Sequence, residues 1–369
     1  MRQASEVAAI WKTGGDSVVR VRPHVLALLP EQLVAHAVEQ GVALTLSEAR
    51  RILVDAHALP GQQRRRNPVA RTTQQAVEPL VRRDTVEVVE RAADPSDGFV
   101  KYLLRGAGGD VFEAVRIPLH TPGRFSVCLS SQVGCAMACA FCATGRLGFG
   151  RHLHAWEMVA AFERVRDEAP GRVTGAVFQG QGEPLHNYDA VMQAAQVLSS
   201  PCGARIAARA ITISTVGLVP QIRRYTAEQR PYRLIVSLTT TQPDRRRRLL
   251  PVASSFDFES LVKALRERAR VRAEPLTLAW VLIAGVNTGS DEIERLAQAF
   301  AGVPFVLNLI DVNDARPDGF TRASDAERGE FLDGLRAAGI RFRRRYSGGA
   351  ARHAACGMLA GVARATTLA

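Results

Sequence analysis

The sequence predicts an α/β fold, a partial (β/α)6 barrel preceded by a small helical accessory domain. Six apolar segments of strand length are separated by enough chain for crossover helices, which is typical of parallel α/β units. Polar residues stand where these strands end, and barrels of this kind carry their chemistry at that edge. The first part of the chain has helical periodicity instead. We therefore expect an accessory domain over residues 1–95 and a catalytic domain over residues 96–369.

Helix signals define the accessory domain. Residues 30–40 have a helical apolar pattern that Gly41 closes. Thr45 and Glu48 form the pattern of a capping box, in which the side chain of each residue bonds the backbone of the other. A second helix is therefore expected to begin there and to continue through Ile52.

The chain is strongly basic, with a formal net charge of +12. Only three of its basic residues are lysines, so nearly all of this charge is arginine, whose planar fork suits phosphates and bases. Such a balance favours a polyanionic partner, most simply RNA or DNA, although an arginine-rich composition also arises from a GC-rich genome. Residues 62–73 form a basic connector, expected to be a solvated loop and secondarily a phosphate contact; its arginines are Arg64, Arg65, Arg66 and Arg71.

Strand patterns begin at Gly98. Residues 100–104 and 112–117 predict a hairpin across the glycines at 106–109. In the next strand Phe125, Val127 and Leu129 share one face, and Cys128 lies on the other, because strand side chains alternate. The remaining candidate strands are residues 176–180, 210–215, 234–239, 276–283 and 305–310.

The polar residues at the ends of these strands should converge on one mouth of the barrel. They are Cys128, Glu183, Ser214, Ser237, Thr239 and Asn313.

Three cysteines, Cys135, Cys139 and Cys142, follow the first barrel strand within eight residues. A structural zinc site or a standard ferredoxin cluster needs four ligands, and no fourth cysteine lies nearby. Three thiolates can hold three irons of a 4Fe–4S cube and leave the fourth iron open to a ligand. The alternatives are incidental buried cysteines, or a zinc loop completed by His152 or His154.

The C-x3-C-x2-C spacing, with Phe141 inside it and a glycine-rich loop after it, resembles the radical S-adenosylmethionine (SAM) superfamily. Residues 179–185, which contain Gly182 and Glu183, resemble that superfamily's Gly-Gly-Glu-Pro motif. The resemblance implies one 4Fe–4S cluster on the three cysteines. It also implies SAM on the open iron, with Gly182 and Glu183 contacting the methionine part.

Within that superfamily the chain resembles the RlmN/Cfr-type methyltransferases, which methylate adenine in 23S rRNA and, in some members, tRNA. The matching segments are residues 97–101, 113–118, 128–135, 213–217 and 354–357. This implies methylation of carbon 2 or carbon 8 of an adenine ring by a radical route. It implies Glu113 as the proton acceptor, Cys356 as the methyl carrier, and Cys128 as the thiol that resolves the intermediate through a disulfide bond. The implied further contacts to SAM are Ser214, Ser237, Leu238, Thr239 and Asn313.

The chain departs from this family near its methyl-carrying cysteine. The usual Arg-Gly-x-Asp approach is absent, since residues 347–353 read Ser-Gly-Gly-Ala-Ala-Arg-His. Met358 stands where the family usually has Gln, and Thr239 where it usually has His. Two alternatives therefore stay open: a radical methylase of a small or non-ribosomal substrate, and a noncatalytic RNA-binding protein with a metal-stapled loop.

Partners and location are also expectations. No segment reaches the roughly 18 apolar residues of a membrane span, and no signal-peptide pattern opens the chain, so we expect a cytoplasmic monomer with reduced cysteines. The radical chemistry implies an electron donor such as flavodoxin or ferredoxin. Two arginine clusters, residues 245–248 and 341–345, are either RNA contacts or solvated faces.

Overall fold

The structure, a computed structural model, describes residues 22–60, 69–93, 96–314, 316, 319–345 and 348–359. Its strands are β1 (Glu87–Ala93), β2 (Val100–Arg105), β3 (Val111–Pro118), β4 (Arg124–Leu129), β5 (Gln132–Gly134), β6 (Phe149–His152), β7 (Arg172–Phe178), β8 (Ile211–Thr215), β9 (Arg233–Ser237), β10 (Leu276–Leu282), β11 (Phe305–Asp311) and β12 (Phe342–Arg344). Its helices are α1 (Pro30–Glu39), α2 (Leu46–Ala56), α3 (Arg71–Val77), α4 (Ala143–Arg146), α5 (Ala155–Asp167), α6 (Tyr188–Ser199), α7 (Val219–Ala227), α8 (Pro243–Leu249), α9 (Phe258–Val271), α10 (Ser290–Ala299) and α11 (Asp325–Ala337).

A ten-stranded sheet organises the described residues, in the order β1-β2-β3-β4-β7-β8-β9-β10-β11-β12. From β4 to β12 each neighbouring pair is parallel, and helices lie between successive parallel strands along the chain. The predicted partial barrel is thereby confirmed, with its six expected strands present within a few residues of their predicted ends. The short strand β12 adds a seventh parallel member that the sequence did not predict.

The strands that precede the barrel are antiparallel. β2 and β3 form the predicted hairpin, and β3 pairs with β4. β1, which lies before the expected boundary at residue 95, pairs with β2 and so belongs to the main sheet. Most of its side chains are exposed, and it therefore carries no apolar alternation from which a strand could be predicted.

The helical region before the sheet packs on the outside of the barrel. The ring of His24 stacks on Trp156 of α5, with 4.3 Å between centroids. His57 Nδ1 lies 2.7 Å from a carboxylate oxygen of Glu163 on the same helix. These contacts fix the helical region against α5, on the side of the sheet away from the barrel interior.

Local signals in the helical region are largely confirmed. α1 ends before Gly41, which is left-handed at φ 76°, and the capping box of α2 is present, with Thr45 N donating to the Glu48 carboxylate at 3.0 Å. Arg71 begins α3, so the expected loop is helical at its end. Arg64, Arg65 and Arg66 lie outside the described residues. None of the helices in the described parts of the chain is both long and apolar enough to span a membrane.

Side-chain alternation gives the sheet two different faces. In β2 to β4 one face carries apolar residues such as Tyr102, Phe112 and Val127, which join the large core beneath the helices. The opposite face, towards the barrel interior, carries Glu113 and Cys128. The interior of the barrel is thus where the strands place their reactive side chains.

Candidate functional site

The three clustered cysteines lie on a loop that begins after β5 and runs into α4. Gly134 opens it with a left-handed backbone at φ 71°, and a Cβ there would lie 2.0 Å from the carbonyl oxygen of Gly148. Cys135 N donates to that same oxygen at 2.7 Å. Only glycine permits this close return of the chain, which folds the loop carrying Cys139 and Cys142 back over the end of the barrel.

The chemistry of these thiols fits a cationic group between them. Burial raises the pKa of Cys135 to about 12 and that of Cys139 well above its ordinary value, and the nearby Cys142 thiol and Glu183 carboxylate raise both further. Three mutually repelling thiolates are therefore unfavourable unless a cation compensates them. A 4Fe–4S cluster held by three thiolates supplies that compensation, so the residues present fit the cluster.

The zinc alternative finds no support. His152 Nδ1 is 3.1 Å from Gln132 Nε2, and its ring packs against His186 at 4.9 Å between centroids. His154 stands at the N-cap of α5, where its backbone N–H donates to Glu157.

Glu183 is buried beside the cysteine loop. Its two carboxylate oxygens accept hydrogen bonds from Leu185 N and Val216 N, each at 2.9 Å. Burial raises the pKa of Glu183 to about 7, which these hydrogen bonds only partly oppose. Gly182 before it is left-handed at φ 97°, and a Cβ there would meet the side chain of Gln132 at 2.6 Å.

Gln132 fixes the backbone of this motif and was given no role from the sequence. Its Oε1 accepts from Glu183 N at 2.9 Å, while its Nε2 lies 3.1 Å from the Nδ1 atoms of His152 and His186. The signal that marks it is its position in the segment 128–135, four residues after Cys128. Gln132 therefore couples the strand before the cysteine loop to the position of the Glu183 carboxylate.

The other residues expected to contact SAM lie at the C-terminal ends of neighbouring strands. Ser214 is near the end of β8, Ser237 ends β9, and Leu238 and Thr239 follow it directly. Asn313 lies two residues beyond β11. Because these strands are parallel neighbours, the structure brings these residues to the edge of the barrel that carries the cysteine loop.

Thr239 stands in an unusual backbone conformation. It is buried and left-handed at φ 59°, which is costly for a β-branched residue. Asn287 Nδ2 donates to its carbonyl at 2.6 Å, and Glu292 fixes the following residues by accepting from Thr241 N and from Arg245. The hydroxyl of Thr239 is buried with no hydrogen-bond partner, as expected of a group that awaits a ligand.

Arg246 departs from the prediction that residues 245–248 are RNA contacts or a solvated face, whereas Arg247 and Arg248 are exposed. Its side chain is 1% exposed and donates to the carbonyls of Leu238 and Val216. Burial lowers its pKa to about 10, an effect that the nearby Cys139 opposes. Arg246 is thus a buried cation beside the cysteine loop, and Arg245 is half-buried and bound by Glu292.

Glu113 lies on the interior face of β3 and is fully buried. Lys101 Nζ, on β2, is 2.9 Å from its Oε1. Its backbone is held as well, with its N–H donating to Gln181 Oε1 at 3.1 Å and its carbonyl accepting from Ser130 Oγ at 2.5 Å. The sequence analysis gave Lys101 no role, although it is one of only three lysines. Lys101 lies two residues before Leu103, which pairs with Glu113, so the side chains of Lys101 and Glu113 share one face of the sheet.

Cys128 lies on the same interior face, paired in register with Val115 of β3. Burial raises the pKa of Cys128 well above its ordinary value, and the nearby Cys356 thiol raises it further. Cys356 itself is exposed, although desolvation by its surroundings raises its pKa too. All six cysteines are free thiols, so the structure contains no disulfide bond between this pair.

The C-terminal segment, residues 348–359, carries Cys356 and is attached at both ends to other parts of the fold. Gly349 N donates to Asp97 Oδ2 at 2.5 Å, just before β2. At the other end Gly357 O accepts from Ala143 N at 2.7 Å, immediately after Cys142. The segment thus spans from the start of the hairpin to the cysteine loop, with Cys356 between them.

Comparisons with known proteins agree with this geometry. Residues 129–300 match the model of the radical SAM superfamily. The chain is 46% identical over 330 residues to a "probable RNA methyltransferase" of Anaeromyxobacter sp., an alignment that covers 88% of this chain and 96% of that protein. It is 38% identical to a "probable dual-specificity RNA methyltransferase RlmN" of Synechococcus sp., over 74% of this chain and 78% of that one.

A solved structure is similar over nearly the whole chain. The crystal structure of a radical SAM methyltransferase from Sphaerobacter thermophilus superposes with a TM-score of 0.81 at 33% sequence identity. The match covers 91% of this chain and 99% of that one. The similarity therefore extends through the hairpin, the barrel and most of the flanking segments.

Proposed function

Because the chain belongs to the RlmN-type RNA methyltransferases of the radical SAM superfamily, we propose that it methylates carbon 2 or carbon 8 of an adenine in rRNA or tRNA, through a methyl group carried on Cys356. It is a SAM-dependent enzyme that acts on RNA. Membership of this family excludes the alternatives of a noncatalytic RNA-binding protein and of a small-metabolite methylase.

The observation that carries this proposal is the approach of Cys128 and Cys356 beside the cysteine loop. They are 228 positions apart, yet Cys128 packs in one buried cluster with Ala354 and Leu359, which flank Cys356, and the Cys356 thiol raises the pKa of Cys128. A simple methyl transfer to a nucleophilic nitrogen or oxygen needs no such pair. Two free thiols beside a loop that fits a 4Fe–4S cluster are expected where a protein sulfur carries carbon to an electron-poor ring and is then released.

The proposed roles follow from position. When bound by Cys135, Cys139 and Cys142, a reduced 4Fe–4S cluster would supply the electron that cleaves SAM to a radical able to take hydrogen from a methyl group. Glu183, Gly182 and the strand-end residues described above would hold and orient SAM. Those strand-end residues are Ser214, Ser237, Leu238, Thr239 and Asn313.

After the methylene radical on Cys356 Sγ has bonded to the ring carbon, the adduct gives one electron to a one-electron acceptor, for which the oxidised 4Fe–4S cluster would serve, and releases its ring proton. We assign that proton to Glu113, whose carboxylate is held ready by Lys101 on the interior face. Cys128 Sγ then attacks Cys356 Sγ: a transient S–S bond forms, the S–CH2 bond breaks, and the released carbon takes a proton to become the methyl group. The disulfide must be reduced before the next cycle.

The proposal extends to partners. The arginine-rich chain is suited to binding the RNA backbone, and the accessory region over residues 1–95 is a candidate contributor. Reduction of the cluster calls for a one-electron donor such as flavodoxin or ferredoxin. We propose that the enzyme works as a monomer in the cytoplasm.

Mass mapping of adenines in rRNA and tRNA, from cells with and without the gene, tests the reaction. Cys356→Ala should abolish methylation and keep reductive cleavage of SAM, because only the methyl carrier is lost. Cys128→Ala should accumulate as a covalent RNA adduct that migrates slowly on a denaturing gel. Cys202→Ala removes a free cysteine that belongs to no part of this site, and should turn over normally.

The same Cys128→Ala variant can also contradict the role proposed for Cys128. A Cys128→Ala enzyme that carries no RNA and keeps full turnover would show that a thiol pair does not resolve the intermediate.

A further inference from the structure

Two glutamines, Gln179 and Gln181, follow β7 at the mouth of the barrel, and neither was given a role from the sequence. The parallel ladder with β4 continues past the end of β7, since Gly180 N donates to Leu129 O at 3.0 Å. Gln179 therefore keeps the side-chain alternation of the strand. Phe178 belongs to the large core beneath the helices, so Gln179 lies on the opposite face, towards the barrel interior.

This interior position places Gln179 beside the two thiols of the site. Val177, two residues before it on the same face, packs against the buried cluster that contains Cys128 and Ala354. Ala354 is two residues before Cys356. The backbone N–H of Gln179 also donates to the Cys128 thiol, which opposes the rise in the pKa of that thiol. Gln179 thus contacts one thiol, and it lies on the face of the sheet against which the segment carrying the other thiol packs.

The second glutamine joins this position to the proposed proton acceptor. Gln181 is 2% exposed, and its Oε1 accepts from Glu113 N at 3.1 Å. Its backbone is held as well, because Gln181 N donates to Ser130 Oγ at 2.9 Å. Residues 179–181 therefore contact both the proposed resolving thiol and the strand residue that carries the proton acceptor. An adenine ring that reacts between these two groups must lie beside Gln179.

The side-chain amide of Gln179 is available to a ligand. Gln179 is half-buried, and neither its Oε1 nor its Nε2 bonds another residue in the parts of the chain that the structure describes. Gln132 and Gln193 differ from it, since their amides bond residues of other elements. A polar group held at the mouth without a protein partner is expected where the substrate supplies the partner.

A glutamine amide is complementary to the edge of adenine. Its oxygen accepts from the 6-amino group, while its nitrogen donates to a ring nitrogen, which is N1 on one edge of the base and N7 on the other. N1 is bonded to carbon 2, and N7 is bonded to carbon 8. The same pair of hydrogen bonds therefore suits methylation of either carbon.

We propose that Gln179 binds the 6-amino edge of the target adenine and so selects the base that the enzyme methylates. The inference rests on the proposed function and adds the residue that recognises the base. Three observations support it: the interior position at the mouth, the contact of the Gln179 backbone with Cys128, and the side-chain amide without a partner in the described residues.

Competition between two RNAs tests this role. Both are synthetic hairpins that carry the adenine identified by mass mapping, and in one of them purine, which is adenine without its 6-amino group, replaces that adenine. The two hairpins would be mixed with cluster-loaded enzyme, SAM and reductant under anaerobic conditions, and mass spectrometry would give the ratio of methylated products. The wild type should favour adenine by about 5- to 100-fold, which is the discrimination expected of one matched pair of hydrogen bonds.

Gln179→Met keeps the length of the side chain and removes both hydrogen bonds, so it should lose most of this preference. The 6-amino group donates electron density to the ring, and an enzyme that does not bind this group has no chemical reason to favour adenine. Gln196→Met removes a half-buried glutamine amide on α6 and should keep the wild-type ratio.

Two controls show that the Gln179→Met variant is folded. Its iron content and its Kd for SAM should equal those of the wild type, because the proposed role concerns the RNA base alone. Should the variant lose iron, Gln179→Ala, which introduces no larger group, takes its place with the same expected loss of preference.

A wild-type enzyme that methylates the adenine and purine hairpins equally overturns the inference, whatever the variants do. A folded Gln179 variant that keeps the wild-type preference overturns it as well, and a raised Kd for SAM in that variant would assign the amide to the cofactor instead. A wild-type enzyme that methylates no adenine carbon contradicts the proposed function, which the competition experiment thereby separates from the role of Gln179.

Discussion

The carboxyl group of Glu183 should make SAM binding depend on pH near neutrality. Burial raises its pKa from the ordinary 4.5 to about 7, a change equivalent to about 3 kcal/mol. Because the pKa is higher in the folded protein, the cost of burying the carboxylate is absent below about pH 4.5, grows as pH rises, and is complete above about pH 7. In the proposed SAM site, the amino group of the methionine part would offset this cost by bonding the carboxylate.

In the proposed site SAM would bind the ionised form of Glu183, so its affinity should fall as pH falls. With a pKa of about 7, the Kd at pH 6 should be about tenfold higher than at pH 8. Glu183→Gln should weaken binding by about 30-fold at pH 8, since a hydrogen bond to a charged group contributes about 2 kcal/mol, and should remove the pH dependence.

Anaerobic isothermal titration calorimetry of the cluster-loaded enzyme at pH 6, 7 and 8 would measure these changes. Glu157→Gln is the matched control, because Glu157 is also a fully buried carboxylate but is bonded to Arg151 at 2.8 Å, outside the proposed SAM site. It should keep the wild-type pH profile. A wild-type Kd that is constant from pH 6 to 8, or a Glu183→Gln variant with the wild-type profile, would refute the reasoning.

Two other predictions concern the cluster. Anaerobically reconstituted enzyme should be brown and contain about four irons, and Cys139→Ser should lose most of them; colourless protein with stoichiometric zinc would contradict the cluster. Arg246→Gln should lower the midpoint potential in an EPR-monitored titration, because a buried cation near Cys139 favours the more negative reduced cluster. Arg247→Gln removes an exposed charge and is the control; equal potentials in the two variants would argue against this role.

Most of the barrel could be predicted because its strands are buried. Strands such as Leu276–Leu282 are apolar enough to be recognised without their neighbours. β12 and β1 could not be, since they are largely exposed, and their place is determined by backbone hydrogen bonds to β11 and β2. Backbone pairing leaves no trace in side-chain periodicity, so edge strands of this kind become visible only in three dimensions.

Candidate site residues that belong to a short sequence motif could be predicted from the sequence. Residues that are brought together only by the register of paired strands could not. The three cysteines and Glu183 could be located by spacing and position along the chain. The Lys101–Glu113 contact depends on the pairing of β2 with β3, which the sequence does not state. Arg246 shows the same limit in another way: within a run of four arginines, one is almost fully buried because α8 packs that position against Leu238 and Val216.

The attachment of the C-terminal segment explains how Cys356 can keep its place while the residues before it depart from the family pattern. The contacts that fix the segment use its backbone: the Gly349 N–H bonds Asp97, and the carbonyls of Gly357 and Leu359 accept from Ala143 and Thr144. A backbone amide or carbonyl is present whatever the side chain, so substitutions within the segment leave these bonds intact. Conformation instead restricts the two glycines, because Gly349 and Gly357 have left-handed backbones at φ 80° and 83°. The absent Arg-Gly-x-Asp approach therefore removes side chains near the proposed methyl carrier, Cys356, without removing the backbone contacts that hold it. Any change in function that this absence brings should affect RNA selection before it affects the proposed chemistry of the thiol pair.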